Sequence, residues 1–169
     1  MNNITRREFT LTLAAMPLAF TSPVFLSSQT YPRIGGLVSS GDGPRGGPAP
    51  AGTGWSSRIA PAEEPGEPML LTGTVYAGDG RTPLSGVTVF AYHTDQNGLY
   101  GFEDPSDPRP QRDRKPPRLR AWAITNAQGK YEFRTIKPEP YPVRRYAAHV
   151  HMHVSSRELP EWSVPSVLF

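Results

Sequence analysis

Cysteine is absent from this chain, so no disulfide can hold it together. A sustained apolar repeat of helical period is also missing beyond the N-terminal segment, which argues against a bundle or coiled coil. Charge of one sign is scarce: 18 Lys and Arg against 15 Asp and Glu leave a net charge of +3. The basic residues gather at the N-terminus and in one loop rather than along a periodic face, so nucleic-acid binding is a poor fit. What the chain does have is 16 glycines and 20 prolines among 169 residues, a composition suited to loops and turns around short strands. The length suits one domain and a tail.

The sequence Thr5-Arg6-Arg7-Glu8-Phe9-Thr10-Leu11 precedes an apolar segment from Leu11 to Leu26. Pro17 and Pro23 interrupt this segment, leaving it too short and broken for a membrane span. Paired arginines followed by an aromatic and a leucine resemble a twin-arginine signal, an address read by a receptor; a general secretory signal is the alternative. Residues 1–28 are therefore expected to be an export signal that engages the translocation machinery, with a periplasmic or extracellular destination. An exported chain without disulfides gains most from a bound metal or from assembly into a homo-oligomer. Residues 29–66 are rich in Gly, Pro and Ser without an apolar period, and are expected to form a linker or arm, with Trp55 and Ile59 as candidate anchors.

The folded domain is expected over 67–169. Residues 69–77 and 87–93 alternate in polarity and are separated by turn residues that include Gly78-Asp79-Gly80. Residues 121–125 and 131–135 flank Asn126-Ala127-Gln128-Gly129, a hairpin signal. Residues 147–154 form a fifth strand. Five short strands with no intervening helix predict an all-β, antiparallel sandwich or barrel.

The fifth strand carries His149-Val150-His151-Met152-His153. Side chains alternate across an extended strand, so the three imidazoles share one face and Val150, Met152 and Val154 the other. Half-buried strands rarely use consecutive in-phase histidines for polarity alone, and a neutral imidazole offers a lone pair to a metal. A solvent-facing polar stripe is the simpler alternative.

Several blocks in order resemble a known family. They are Gly73-Thr-Val75, Pro83-Leu-Ser-Gly86-Val-Thr-Val89, Tyr92-His-Thr-Asp95 with Gly98-Leu-Tyr100, residues 125–138, Pro140-Tyr141-Pro142 and His149-Val-His151. Together they resemble the intradiol ring-cleavage dioxygenases, such as protocatechuate and catechol dioxygenases, across roughly residues 66–169. The resemblance implies the prealbumin-like β-sandwich of that family and a mononuclear non-haem Fe(III) held by Tyr100, Tyr141, His149 and His151. Tyr141 and His149 would be axial, Tyr100 and His151 equatorial, with a hydroxide completing the site. Anionic phenolates favour ferric iron, and neutral imidazoles keep the site's charge modest. The implied reaction binds a catechol as a dianion, with Tyr141 and the hydroxide displaced to take up its protons. O2 then attacks the activated ring, giving a cyclic anhydride and a cis,cis-muconate-type product.

The pattern departs from the family in places. Where well-studied members carry an arginine three residues before the first histidine, this chain has Tyr146. Arg144 and Arg145 are the candidates for that catalytic charge, and a solvated role is their alternative. A family glutamine aligns with Ser166. The family also continues beyond the position of Phe169, which implies a C-terminally incomplete domain with an exposed sheet edge. Arg109, Arg112, Arg114, Lys115, Arg118 and Arg120 either attract a carboxylated substrate or belong to a solvated connection. His93 and His153 are either hydrogen-bonding partners of the site or ordinary surface histidines. Two other functions remain on the sequence alone: a non-catalytic transthyretin-like binding module, which has no need of Tyr141 ahead of His-x-His, and zinc hydrolysis, which lacks a nearby carboxylate ligand.

Overall fold

The computed structural model describes residues 5–12, 45–101, 117–143 and 146–169. Its strands are β1 (Thr5–Thr12), β2 (Ser56–Arg58), β3 (Pro68–Tyr76), β4 (Thr88–His93), β5 (Arg120–Ile124), β6 (Lys130–Ile136), β7 (His149–Ser155) and β8 (Trp162–Leu168). Two four-stranded sheets, ordered β1-β3-β6-β2 and β5-β4-β7-β8, face each other. Pairing is mostly antiparallel, with β1 on β3 and β2 on β6 parallel. The expected all-β sandwich is thus the fold, although β1, β2 and β8 were not among the strands expected from the alternation.

The core follows from period two. Met69, Leu71 and Val75 of β3 and Tyr131 and Phe133 of β6 point inward from the first sheet. Val89 and Ala91 of β4 and Val150, Met152 and Val154 of β7 meet them from the second; all are buried. Each large side chain so buried contributes about 1.5–3 kcal/mol of transfer free energy. The same alternation sends Phe90, Tyr92, His149, His151 and His153 to the outer face of the second sheet, where Phe90 and Tyr92 join Tyr100 in a second cluster.

The turn at Asn126–Gly129 forms as the sequence suggests, with the Asn126 N–H donating to the Lys130 carbonyl and the Gly129 N–H to that of Asn126. The strands it joins, however, lie in different sheets: β5 pairs with β4 and β6 with β3. The link is a corner between layers rather than a hairpin. Part of the expected linker is likewise built into the fold, since β2 pairs with β6 and Ile59 and Ala60 enter the core. Ile59 is therefore an anchor, whereas Trp55 is 43% exposed.

His93, the last residue of β4, is neither at the site nor on the surface. It is fully buried, with Nδ1 2.6 Å from the Thr94 carbonyl and Nε2 2.6 Å from the Thr135 hydroxyl on β6. A carbonyl only accepts, so Nδ1 carries the proton and Nε2 accepts from Thr135, bridging the two sheets. Burial pushes the His93 imidazole down to about 4 from an ordinary 6.5, against smaller opposing effects of Thr94, Glu64 and Asp95. In the unfolded chain this imidazole protonates near 6.5, so the stability it confers is complete above that pH and is lost between 6.5 and 4. The loss is expected to reach about 3 kcal/mol. Denaturant titrations should show the stability gap between the parent chain and His93→Gln narrowing as pH falls through that window. A gap that stays constant would refute the assignment.

Candidate metal centre

Four side chains from three parts of the chain converge outside the second sheet. Tyr100 Oη lies 2.5 Å from Tyr141 Oη, which in turn is 3.2 Å from His149 Nε2 and 3.4 Å from His151 Nε2. The two Nε2 atoms are 3.0 Å apart. Donors each about 2 Å from one cation sit roughly 3 Å from one another, so this spacing is that of a common coordination sphere. Among the described residues His, Cys, Asp and Glu form no cluster of three; the phenols supply half of the donor set.

Each histidine ring is held by contacts of its own. His149 Nδ1 is 2.7 Å from the Ala147 carbonyl, which forces the proton onto Nδ1 and leaves Nε2 bare toward the cluster. Tyr92 stacks on the His151 ring at a centroid distance of 4.6 Å, and Ser166 places its hydroxyl 3.4 Å from His151 Nδ1. Burial, followed by the proximity of His149 and His153, pushes His151 down to about 3, so it stays neutral and able to ligate. Desolvation raises the Tyr92 phenol well above its ordinary range, with smaller contributions from Tyr141 and Glu161. Tyr92 is therefore a protonated aromatic platform, not a further anionic ligand.

The tyrosines come from loops, and backbone geometry brings those loops together. Asp95 Oδ1 accepts from the N–H groups of Asn97 and Leu99, closing a tight turn that ends at Tyr100. Thr94 Oγ1 donates to the Glu139 carbonyl and the Glu139 N–H to that of Asp95. Gly98 makes the approach possible: its φ is +74°, and a Cβ there would lie 2.1 Å from the Pro140 carbonyl oxygen. Tyr100 is buried, Tyr141 half-buried, and Tyr146 is 60% exposed while packing edge-on to Tyr141.

All four expected ligands are therefore brought together. Arg144 and Arg145 lie outside the described residues, as do Arg109, Arg112, Arg114 and Lys115 of the basic loop. Of that loop's remaining members, Arg118 forms a bidentate pair with Glu64 and Arg120 donates to the Pro117 carbonyl. His153 shares the ligand face but turns to Glu161, with Nδ1 2.6 Å from Oε1. Desolvation raises the Glu161 carboxyl, but donors from Gly46, His153 and Gly47 outweigh it and hold the group below its ordinary range. Sequence spacing alone could not separate His153 from His149 and His151; a glutamate eight residues on was the only hint.

The dioxygenase family model matches residues 48–162. The chain belongs to the intradiol ring-cleavage dioxygenases. It is 34% identical over 114 residues to catechol 1,2-dioxygenase 1 of Acinetobacter lwoffii, a stretch covering 58% of this chain and 34% of that protein. To chlorocatechol 1,2-dioxygenase of Rhodococcus opacus it is 33% identical over 82 residues, 48% and 29% of the respective chains. It thus spans about a third of the length of the curated relatives it matches. An intradiol ring-cleavage dioxygenase from Tetranychus urticae superposes with a TM-score of 0.56 at 23% identity, covering 76% of this chain and 63% of that one. The dioxygenase domain of a dioxygenase and carbohydrate-binding fusion from Streptomyces sp. SirexAA-E gives 0.52 at 24%, covering 74% and 71%. At these identities the structures speak for the sandwich fold alone.

Proposed function

We propose that this chain holds one ferric iron through Tyr100, Tyr141, His149 and His151 and uses it with O2 to cleave a catechol between its two hydroxylated carbons, giving a cis,cis-muconate-type product. The convergence of two phenol oxygens and two imidazole nitrogens within 2.5–3.4 Å carries this reading. The chemistry of the donors fits the ion: hard phenolates favour a ferric centre, and the bare imidazole nitrogens add no charge.

When bound, ferric iron supplies Lewis acidity and a path for electron density between the substrate ring and O2. The chain's residues supply position and proton movement. Tyr141 sits half-buried on a loop, with its oxygen 2.5–3.4 Å from the other three donors, and would serve as the base: its phenolate would take one proton from a catechol hydroxyl entering beside it. Tyr100 is closed in by Tyr92 and Tyr141 and remains in place. His149 and His151 stay fixed through the Ala147 carbonyl and the Tyr92 ring, which keeps the substrate's two oxygens in one orientation.

The test is direct. The purified chain should take up about one ferric iron and become coloured, because phenolate-to-iron charge transfer absorbs visible light. Adding catechol should shift the band to longer wavelength, and O2 should then be consumed one per ring opened. A chain that binds no ferric iron would sink the proposal and favour the binding-module alternative.

Export rests on the N-terminal sequence, and we infer that residues 1–28 direct the chain across the cytoplasmic membrane by a twin-arginine route. The backbone of Thr5–Thr12 pairs with β3 in the folded chain, so receptor engagement and this pairing compete for the same residues. Converting Arg6 and Arg7 to lysine is expected to strand the precursor in the cytoplasm, as read by cell fractionation. Undiminished export of that variant would leave only the general secretory route.

A further inference from the structure

The described part of the segment expected to be a linker is fastened to the domain at two points. Near residue 45, the Gly46 and Gly47 N–H groups donate to the Glu161 carboxylate that also holds His153. At its end, Glu64 meets Arg118 in a bidentate pair at 2.6 and 2.7 Å, with the Glu64 side chain only 8% exposed. Both arms of the guanidinium meet the carboxylate, which makes the link directional even though the Arg118 side chain is itself 43% exposed.

Arg118 is also joined to both ends of the turn that presents Tyr100. Its backbone N–H donates to the Tyr100 carbonyl at 3.0 Å. Its guanidinium lies 3.7 Å from Asp95 Oδ2, on the carboxylate whose other oxygen closes the turn. Its stem crosses the bare backbone of Gly101, where a Cβ would lie 2.8 Å from Nε. A displacement of Arg118 therefore reaches Tyr100 through its carbonyl, the turn before it and the residue after it.

From this arrangement we propose that Arg118 and Glu64 are positioning residues for Tyr100: the Glu64–Arg118–Asp95 chain sets the phenol against Tyr141, making the segment around Glu64 part of the metal centre rather than a tether. The inference rests on the metal-site reading for its consequence, but the positioning itself is testable without metal. Neither residue touches the donor atoms; both act through the loop that carries one of them.

The test uses the full chain with 3-fluorotyrosine incorporated and the Tyr100 resonance assigned by Tyr100→Phe. In the metal-free protein, Glu64→Gln and Arg118→Gln should shift or broaden the Tyr100 fluorine signal and leave that of core Tyr131 in place. Arg118→Lys, which keeps the charge but not the fork, should fall between. Glu161→Gln loosens the other end of the same segment and should lower the melting temperature without moving Tyr100. In chelator competition, the Glu64 and Arg118 variants should bind ferric iron about tenfold more weakly than the parent, the effect typical of losing a ligand's support. Glu64→Gln is nearly isosteric, so it remains informative should Arg118→Gln fail to fold. Unchanged fluorine signals and iron affinity in a destabilised Glu64→Gln would overturn the proposal and leave a structural ion pair. A Tyr100 signal that moves in the Glu64 and Arg118 variants while the parent chain takes no iron would refute the metal centre and uphold the positioning.

Discussion

Replacing His149 or His151 by alanine is expected to abolish ferric iron binding for practical purposes, lowering affinity by more than about 100-fold, because losing a ligand exceeds the 10- to 100-fold cost of losing only its support. The two imidazoles provide the only nitrogen donors among the four converging groups, and each is held by a contact of its own: the Ala147 carbonyl for one, the Tyr92 ring for the other. The alanine variants should be colourless by visible spectroscopy and close to the metal content of a blank. Ser166→Ala removes only the hydroxyl near His151 Nδ1, and should cost roughly tenfold. Tyr141→Phe keeps the ring but loses one phenolate, so it should weaken and shift the band while leaving the fold intact. An iron-replete, coloured His149→Ala would show that the converging donors are not the binding site.

Gly98→Ala is expected to be the most damaging single-atom addition outside the core. The new Cβ would lie 2.1 Å from the Pro140 carbonyl oxygen, and φ is +74°, so a close collision with backbone adds to the cost of a left-handed residue. Together these should destabilise the chain by about 3 kcal/mol or more, a fall in melting temperature on the order of 10 °C for a chain of this size. The collision lies between the turn carrying Tyr100 and the loop carrying Tyr141, so the phenolate band should be lost as well. Gly86→Ala is the matched control: φ is +76° but nothing lies within 4 Å of the added carbon, so it should cost only about 1 kcal/mol and leave the band alone. Scanning calorimetry and the visible spectrum read both variants. A Gly98→Ala protein with parental melting and colour would refute the claim that this contact sets the distance between the tyrosines.

Local periodicity made the histidine face legible without any structure. In an extended strand neighbouring side chains must alternate, so His149 and His151 had to share a face opposite Val150 and Met152, and the ordered motif blocks added Tyr100 and Tyr141. The turn at Asn126–Gly129 was equally local, being closed by hydrogen bonds within five residues. What these turns connect was not local. The strands on either side of the turn enter different sheets because β4 and β3, whose paired residues lie 28 to 36 positions away for one and over fifty for the other, supply their ladder partners. Composition did not reveal the packing of residues 56–60 for the same reason: Gly and Pro dilute the apolar signal around Ile59, yet β6 offers that stretch a strand edge and Ile59 and Ala60 enter the core. The separation of three in-phase histidines into two site residues and one partner of Glu161, and the reach of Glu64 to the Tyr100 loop through Arg118, depend on side chains distant in sequence. The alternation of the chain determined which face carries the imidazoles; tertiary packing decided which of them converge with Tyr100 and Tyr141, because only packing assigns each ring's other hydrogen bond.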